Sequence, residues 1–543
     1  MGGALMQTDA DYIVVGSGAT GAMAAQTLVE AGVRVAVLDV GERDEVYAPL
    51  IPDRDFDSLR RGDPGQHRYF LGDDFEGVPW EGTKVGSQLT PPRGFLTRHT
   101  DRFIPFESDT LKPMESLACG GLGGGWGVGC YLYSKPELEA AGLDERRMLE
   151  AYDIVAARIG VSGTRDDGAP YCLRDLRHVQ PSIELEENSA AVLRAYERRR
   201  GVLNARGVFL GRQLQAVLSA PTPGRKATQY KDMEYWSDGD KSAYRSWMTI
   251  DELRKRPNFA YHDRCLVERF AEDGGGVSVH VLRTDTGDRR VFRARKLILA
   301  PGPLGTARIV IRSFDYRNPT LPFICNPYCY IPCLQWRRLG KEPQRLKSSF
   351  GQLVMFMDEN ADNFDVGMAV LFSYRSLLLF KLIKETPLNY ADARIIMRYL
   401  QSALIIAGIH HPEKPSSSKF VRLVPSDRTP TGDLLTGHYA LSDSEQSVNF
   451  ARERRIKGAL RTLGCQPLRT LHVPHGGSIH YAGTLPFDTA GKPFTLSPGG
   501  LLAGTRSVYV ADGSGLRYLP AKGITFTLMA NAHCVARRAL AHE

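Results

Sequence analysis

The stretch Tyr12-Ile13-Val14-Val15-Gly16-Ser17-Gly18-Ala19-Thr20-Gly21, near the start of the chain, decides the fold. A short β-branched run precedes a G-x-G-x-x-G turn, an Ala- and Leu-rich segment up to Gly32 predicts a helix, and 33–39 predicts a second apolar strand. This order is typical of a βαβ unit that binds a dinucleotide. In such a unit the first glycine permits the tight turn, the second lets the backbone approach a pyrophosphate, and the third lets helix and strand pack closely.

An acidic residue completes the pattern. Asp39 ends the second predicted strand about 20 residues after Gly16, the spacing expected of a carboxylate that accepts a hydrogen bond from a cofactor ribose. An ordinary α/β unit without a nucleotide is the alternative interpretation. The residues of this unit expected to bind the cofactor are Gly16, Gly18, Ala19, Thr20, Gly21 and Asp39.

The composition is that of a globular protein. Of the 543 residues, 43% are hydrophobic and 24% charged, and the formal net charge is +8. The basic residues form short groups interrupted by acids, so a nucleic-acid partner is not expected. No run of about 18 apolar residues occurs, so no integral membrane segment is expected. The N-terminus lacks a secretory pattern, and nine widely spaced cysteines favour free thiols in a reducing, cytoplasmic setting.

A second glycine-rich segment holds seven glycines between residues 120 and 129. This density favours a backbone that lies flat against a large planar ligand, with its amides free to donate; a flexible hinge is the alternative. The residues expected to contact the cofactor here are Gly123, Gly124, Trp126, Gly127 and Val128.

Further strands are predicted at 266–267, 277–282 and 291–292, before a buried strand that ends at Gly302 and rebuilds the nucleotide unit after a long insertion. Near the C-terminus, Asp512 follows another short strand and precedes a closing helix predicted from about 524 to 540. A carboxylate in this position can accept a hydrogen bond from a polar edge of the cofactor near the helix N-terminus. Cofactor contacts are expected in these segments from Val267, Ala300, Gly302, Asp512, Gly513, Gly523 and Ile524.

The middle of the chain gives weaker signals. Spacing predicts helices at 143–160, within 180–206, and at 377–384 and 393–406, with a strand at 350–358. Three cysteines, Cys325, Cys329 and Cys333, have a C-x3-C-x3-C spacing that suggests a metal or iron–sulfur centre. No fourth cysteine is close, so we expect buried thiols and no metal site.

Taken together, the motifs resemble those of the glucose–methanol–choline (GMC) flavoprotein oxidoreductases. The resemblance covers the nucleotide start at 16–39, the glycine-rich 121–129, the return at 299–306, the H-x-x-G-T segment at 480–484 and the V-x-D-x-S-like 510–514. It implies an α/β fold in which a Rossmann-like FAD-binding domain is interleaved with a substrate-binding domain built on a mainly antiparallel sheet with helices.

The resemblance also implies domain boundaries. The FAD-binding domain is expected at 1–145, 261–312 and 466–543, and the substrate domain at 146–260 and 313–465. FAD is expected to be bound non-covalently, because Val128 stands where some family members attach the flavin through a histidine.

The chemistry implied is oxidation of an alcohol to an aldehyde or ketone. His480 is the expected base, which takes the hydroxyl proton while flavin N5 accepts the hydride, and His475 is an expected orienting or pocket-lining residue. The family's second catalytic histidine or asparagine falls at Gly523, so Asn531 is considered as a substitute and Lys522 as a source of charge.

The substrate is expected to be a small polar molecule, a sugar or a glycosylated secondary metabolite, with O2 or another electron acceptor. Two alternatives stay open. Apolar helices at 368–383 and 393–409 would suit a sterol or lipid alcohol, and the absence of a second catalytic residue would suit a non-oxidative or structural use of FAD.

Overall fold

A computed structural model describes residues 8–74, 90–314, 319–341, 348–373, 387–400 and 402–541. Two seven-stranded sheets organise these residues. The α-helices around them are Ala19–Glu30, Phe56–Gly62, His67–Leu71, Thr100–Phe103, Lys135–Ala141, Glu145–Ile159, Ala169–Cys172, Glu187–Asn204, Ser246–Leu253, Pro303–Ser313, Tyr390–Leu400, Asp443–Thr462 and Thr525–Ala541. Short 3₁₀ turns occupy Ala48–Leu50, Pro91–Leu96, Gly121–Gly124, Trp336–Arg338 and Gly513–Gly515.

The first sheet contains the dinucleotide-binding unit that the sequence predicts. Its strands are, in spatial order, Phe259–His262, Val35–Leu38, Ala10–Val15, Arg289–Leu299, Gly276–Arg283 and Cys265–Asp273, with Val508–Val510 pairing the second half of Arg289–Leu299. The pairs around Ala10–Val15 are parallel, and the hairpins after Cys265 are antiparallel. Both faces of the central strands are buried, which explains their β-branched composition.

The register of this sheet brings distant segments to one edge. Val15 pairs with both Leu38 and Leu299, and Leu299 pairs with Val510. The residues that follow these four strand ends therefore lie side by side at the carboxyl edge, where ligands bind in open α/β sheets.

The second sheet is antiparallel throughout. Its strands are, in order, Gln466–Pro467, Tyr328–Leu334, Leu404–His410, Gly367–Ser373, Leu353–Met357 and Val208–Arg212, with Leu471–His472 also pairing Tyr328–Leu334. Helices Glu187–Asn204 and Asp443–Thr462 contribute to the apolar core against this sheet. The chain thus leaves the second sheet after His472, beyond the boundary expected at 465.

Three smaller β-ladders are separate from the two seven-stranded sheets. One holds Thr320–Pro322, Lys419–Pro425, Asp433–Tyr439 and Phe106–Glu107, and another joins Ser162–Gly163 to Gln180–Pro181. The third pairs Ile324–Cys325 with Tyr481–Ala482, in the register Ile324↔Ala482 and Cys325↔Tyr481.

The helices predicted at 143–160, within 180–206 and at the C-terminus match Glu145–Ile159, Glu187–Asn204 and Thr525–Ala541. The helix predicted at 393–406 is wrong in its second half: it ends at Leu400, and Leu404–His410 is a central strand. Burial on both faces removes the period-2 pattern that marks a strand, so its apolar run looks helical in sequence. The helix predicted at 377–384 lies outside the described residues.

These bounds also correct the interpretation based on apolar helices. Gly367–Ser373 is a strand where the first apolar helix was expected to begin, and the rest of that helix lies outside the described residues. The second is helical only up to Leu400, because Leu404–His410 is a strand. Among the described helices, none combines the length and the apolar character needed to cross a bilayer.

Candidate active site

One cavity of about 1390 Å³ extends from the carboxyl edge of the first sheet to His480 beside the second sheet. Most residues predicted to bind a cofactor line it, together with the predicted base. These lining residues are Gly16, Gly18, Ala19, Thr20, Asp39, Gly123, Trp126, Gly127, Val267, Ala300, Gly302, Gly523, Ile524, Asp512 and His480.

The three motif glycines have different environments. Gly16 has φ +87°, a conformation that glycine tolerates best. A Cβ on Gly21 would lie 2.0 Å from the Gly16 carbonyl oxygen, so this position, which does not line the cavity, serves helix–strand packing. A Cβ on Gly18 would meet nothing within 4 Å, because Gly18 faces the cavity.

The helix Ala19–Glu30 begins at this turn with its first amides uncapped by any side chain. Its first turn contains no acidic residue. Exposed amides and the positive end of the helix dipole favour an anion such as a pyrophosphate. The open face of Gly18 and this helix start therefore fit the phosphates of a dinucleotide.

Asp39 lies at the next strand end, where its carboxylate accepts hydrogen bonds from the Ser17 hydroxyl and, at 2.9 Å, from the Tyr261 hydroxyl. Burial raises the pKa of Asp39 to about 6, and the two hydrogen bonds oppose that shift. A desolvated carboxylate beside the motif turn can accept a further hydrogen bond from a ribose hydroxyl.

The glycine-rich segment contributes backbone to the cavity wall at Gly121, Gly123 and Gly127. Trp126 is fixed by a bond of 2.8 Å from its indole N–H to the Tyr244 carbonyl. Two predicted contacts lie behind the wall: Gly124 is buried against Leu96, and Val128 is fully buried with φ 52°. Positive φ is rare for a β-branched residue, and the surrounding core holds it.

Asp512 lines the cavity from the strand end Val510, but protein donors already hold its carboxylate. Ser514 donates from its amide at 2.9 Å and its hydroxyl at 2.6 Å, and the Thr306 hydroxyl donates at 2.6 Å. Burial raises the pKa of Asp512. Its neighbour Gly513 is buried and outside the cavity lining.

His480 is positioned by Asn326. The ladder register Cys325↔Tyr481 brings the next residues, Asn326 and His480, opposite each other, with 3.1 Å between Asn326 Oδ1 and His480 Nδ1. The Asn326 amide NH2 donates to the carbonyls of His411 (2.8 Å) and Pro520 (3.0 Å), so its oxygen must face the ring. Nδ1 therefore carries the proton, and Nε2 keeps the lone pair that a base needs. Burial lowers the pKa of His480 to about 4, so the ring is neutral near pH 7.

A second histidine lies beside the base. The ring of His410, at the end of Leu404–His410, stacks on His480 with centroids 4.9 Å apart and contacts Tyr328 at a tilt, with centroids 4.4 Å apart. Both His410 and Tyr328 line the cavity. Within the described part of the chain His410 Nδ1 has no hydrogen-bond partner, and burial lowers its pKa well below the usual value. The ring is a neutral, polar group turned toward the reaction space.

At Gly523, where the resemblance would put a second catalytic residue, the ring of Tyr131 fills the space that a side chain would need. A Cβ on Gly523 would lie 2.9 Å from two ring carbons of Tyr131, so that ring occupies the space. Tyr131 lines the cavity, and its buried hydroxyl has no hydrogen-bond partner among the described residues. Burial raises the pKa of Tyr131 well above 10, which keeps the hydroxyl a donor.

Three other predicted site residues lie away from the cavity. The His475 ring contacts the Tyr439 ring at a tilt, with centroids 4.6 Å apart, and Asn531 is buried within the C-terminal helix. Lys522 is fully buried and bonds Glu137 at 2.6 Å, so its charge is neutralised there. These placements do not support the roles expected for these residues.

No family model matches the chain. The 6'''-hydroxyparomomycin C oxidase of Streptomyces lividus is 26% identical over 324 residues, which are 58% of this chain and 51% of that protein. The chain thus matches about half the length of this relative.

Solved structures match the whole chain. Pyridoxine 4-oxidase from Mesorbium loti has a TM-score of 0.56 at 14% identity and covers 98% of this chain and 100% of its own. A formate oxidase of Aspergillus oryzae RIB40, whose structure concerns the effect of an R554K mutation on FAD modification, has a TM-score of 0.59 at 11% identity and 99% coverage of both chains. The predicted α/β fold and the likeness to GMC oxidoreductases are confirmed at the level of the fold.

Proposed function

We propose that the chain is an FAD-dependent alcohol oxidase or dehydrogenase that converts a hydroxyl group of a polar substrate to a carbonyl. The main observation behind this proposal is one cavity that extends from the dinucleotide turn at Gly16–Gly21 to His480, whose ring is neutral and has a fixed tautomer. The fold likeness to two oxidases and the sequence likeness to a third support it.

The residues that would hold non-covalent FAD are those at the carboxyl edge of the first sheet and in the glycine-rich segment. When bound, FAD supplies the acceptor for the hydride that leaves the alcohol carbon. His480 Nε2 takes the hydroxyl proton, and Asn326 keeps that lone pair on Nε2. Tyr131 and His410 line the same cavity, and in this proposal the Tyr131 hydroxyl and the His410 ring bind and orient the reacting oxygen.

Gln213, Tyr330 and Ser349 line the cavity and supply hydrogen-bonding and aromatic groups that suit a sugar-like substrate. Such groups stack on and hydrogen-bond to rings that carry hydroxyls. The name of the relative from Streptomyces lividus adds hydroxyparomomycin to the substrates worth testing.

The test is anaerobic mixing of the FAD-loaded protein with hydroxyparomomycin, with simple sugars and with a long-chain alcohol. We expect bleaching of the flavin with one of the polar substrates and formation of a stoichiometric carbonyl. A flavin that bleaches only with the long-chain alcohol would overturn the substrate class. A flavin that bleaches with none of them, yet is reduced by dithionite, would favour a non-oxidative role.

Asn326→Ala should lower kcat/KM by about tenfold, the effect of one lost hydrogen bond between polar groups. It should also change the pH profile. In the parent, kcat/KM falls only as pH drops through the His480 pKa of about 4, because a protonated ring cannot accept a proton. In Asn326→Ala, water that fills the space left by the amide would solvate the His480 ring. The pKa of His480, and with it the pH at which kcat/KM falls, should therefore rise toward the ordinary value of 6.5.

Asn258→Ala is the matched control, because its amide also bridges two carbonyls, those of Val29 and Val33, at 3.0 and 2.9 Å. It should leave the pH profile unchanged. An Asn326→Ala enzyme with the parent profile would show that Asn326 does not position the base.

His410→Phe keeps the stacked ring but removes its nitrogens. We expect kcat/KM to fall by about 10- to 100-fold, as for loss of a group that orients the reacting hydroxyl, with FAD content unchanged. The control is His475→Phe, since the His475 ring also contacts a tyrosine ring at a tilt, that of Tyr439, but lies outside the cavity lining. Equal rates for the two variants would contradict a role for His410.

A further inference from the structure

At the edge of the cavity, where His472 forms part of the wall, three elements bring a thiol, a carboxylate and an imidazole together. Cys329 lies on Tyr328–Leu334, His472 is its direct partner on the neighbouring strand, and Glu453 comes from the helix Asp443–Thr462. The Cys329 sulfur, a Glu453 oxygen and a His472 ring nitrogen all lie within 4.8 Å of one another. Each atom is a ligand that divalent transition metals accept.

The carboxylate of Glu453 is the centre of this group. His472 Nε2 lies 3.0 and 3.2 Å from its two oxygens, and His411 Nε2 lies 3.4 Å from Oε1. Two ligands that share one tetrahedral zinc ion at bond lengths near 2.1 Å are separated by about 3.4 Å. Small rotations of the Glu453 and His472 side chains would reach that separation from the 3.0 and 3.2 Å observed.

His411 lies beside this group. Its side chain is 2% exposed, and its Nε2 forms an ion-pair contact of 3.4 Å with Glu453 Oε1. The ligand atoms that lie within 4.8 Å of one another belong to the other three side chains, so His411 supports the Glu453 carboxylate and is not counted as a ligand.

We propose that Cys329, Glu453 and His472 bind one Zn²⁺ ion. A sulfur, a carboxylate oxygen and an imidazole nitrogen are ligands that zinc accepts, whereas Mg²⁺ and Ca²⁺ prefer oxygen alone. His472 is half-exposed, so water can complete the tetrahedron. On binding, the Cys329 thiol releases its proton to solvent and becomes the thiolate ligand.

The ion ties the helix Asp443–Thr462 to the second sheet, directly behind the end of Leu404–His410. Glu453 also contacts His411, which follows the cavity-lining His410, so an ion bound by Glu453 would stabilise the strand end that presents His410. The C-x3-C-x3-C spacing did not indicate this site. Cys329 and Cys333 are four residues apart on one strand, about 13 Å by the rise of a strand, and the other ligands come from distant segments.

The first test is metal analysis of the full-length protein, produced in zinc-supplemented medium and purified without chelators. We expect roughly one equivalent of zinc per chain, reduced at least about tenfold in Cys329→Ser and Glu453→Gln. Cys333→Ser is the matched control, because Cys333 lies on the same strand and is equally buried, with 0% exposure for both. It should keep the parent content.

The second test uses Co²⁺ added to the chelator-treated protein. A thiolate-to-cobalt charge-transfer band is expected in the parent and in Cys333→Ser, and its absence is expected in Cys329→Ser. A chelator should lower the Tm of the parent but not that of Glu453→Gln. Zinc-free parent protein with no cobalt band would overturn the proposal and leave a histidine–carboxylate ion pair. Neither readout depends on alcohol oxidation, so the two proposals fail separately.

Discussion

His480→Ala is expected to slow anaerobic flavin reduction by the substrate by about 10²- to 10⁴-fold, the contribution typical of a positioned general base. The ring supplies the lone pair at Nε2, and Asn326 holds its tautomer through the 3.1 Å contact at Nδ1. FAD content should stay at the parent level, because the cofactor-binding turn at Gly16–Gly21 is distant in the chain and unchanged. Stopped-flow measurement of flavin bleaching gives the rate.

Added imidazole should restore part of this rate, since it can enter the space left by the ring. The rescue should follow the neutral form of imidazole as the pH rises. If the flavin of His480→Ala bleached at the parent rate with no imidazole added, His480 would not be the base.

Gly18→Val should give a folded protein that binds FAD at least about tenfold more weakly, through the loss of charge-assisted bonds from the backbone to the pyrophosphate. Gly18 has φ −59° and ψ −176°, which valine accepts, and a Cβ there would meet no protein atom within 4 Å. The added methyl groups would instead enter the cavity. Fluorescence titration of the apoprotein with FAD measures the affinity.

The control is Gly274→Val, at a hairpin where a Cβ also meets nothing within 4 Å. Both variants should keep the Tm of the parent apoprotein, and only Gly18→Val should lose affinity. Unchanged FAD binding in Gly18→Val would place the cofactor elsewhere.

The sequence predicted the parts of the site that local chain geometry determines. The turn at 16–21 and the strand ends at Asp39, Ala300 and Asp512 are short motifs whose spacing fixes their conformation, and parallel pairing brings them to one edge. His480 was predicted because it lies within such a segment.

The residues around His480 could not be predicted in the same way. Asn326 reaches the base through the register of a two-residue ladder, and His410 reaches it from a central strand whose apolar run resembles a helix in sequence. The Tyr131 ring occupies the space that a side chain at position 523 would fill. Strand register and complementary volume are properties of the packed structure, so residue spacing carries no sign of them.

The contact between Tyr131 and Gly523 makes the two positions mutually exclusive in size. With only 2.9 Å from a Cβ at 523 to the tyrosine ring, a histidine or asparagine there requires a small residue at 131, and a tyrosine at 131 requires a glycine at 523. A side chain added at 523 must displace the Tyr131 ring, whereas a smaller residue at 131 only leaves a cavity. A lineage that exchanges both residues therefore has one accessible order of substitution, position 131 before position 523.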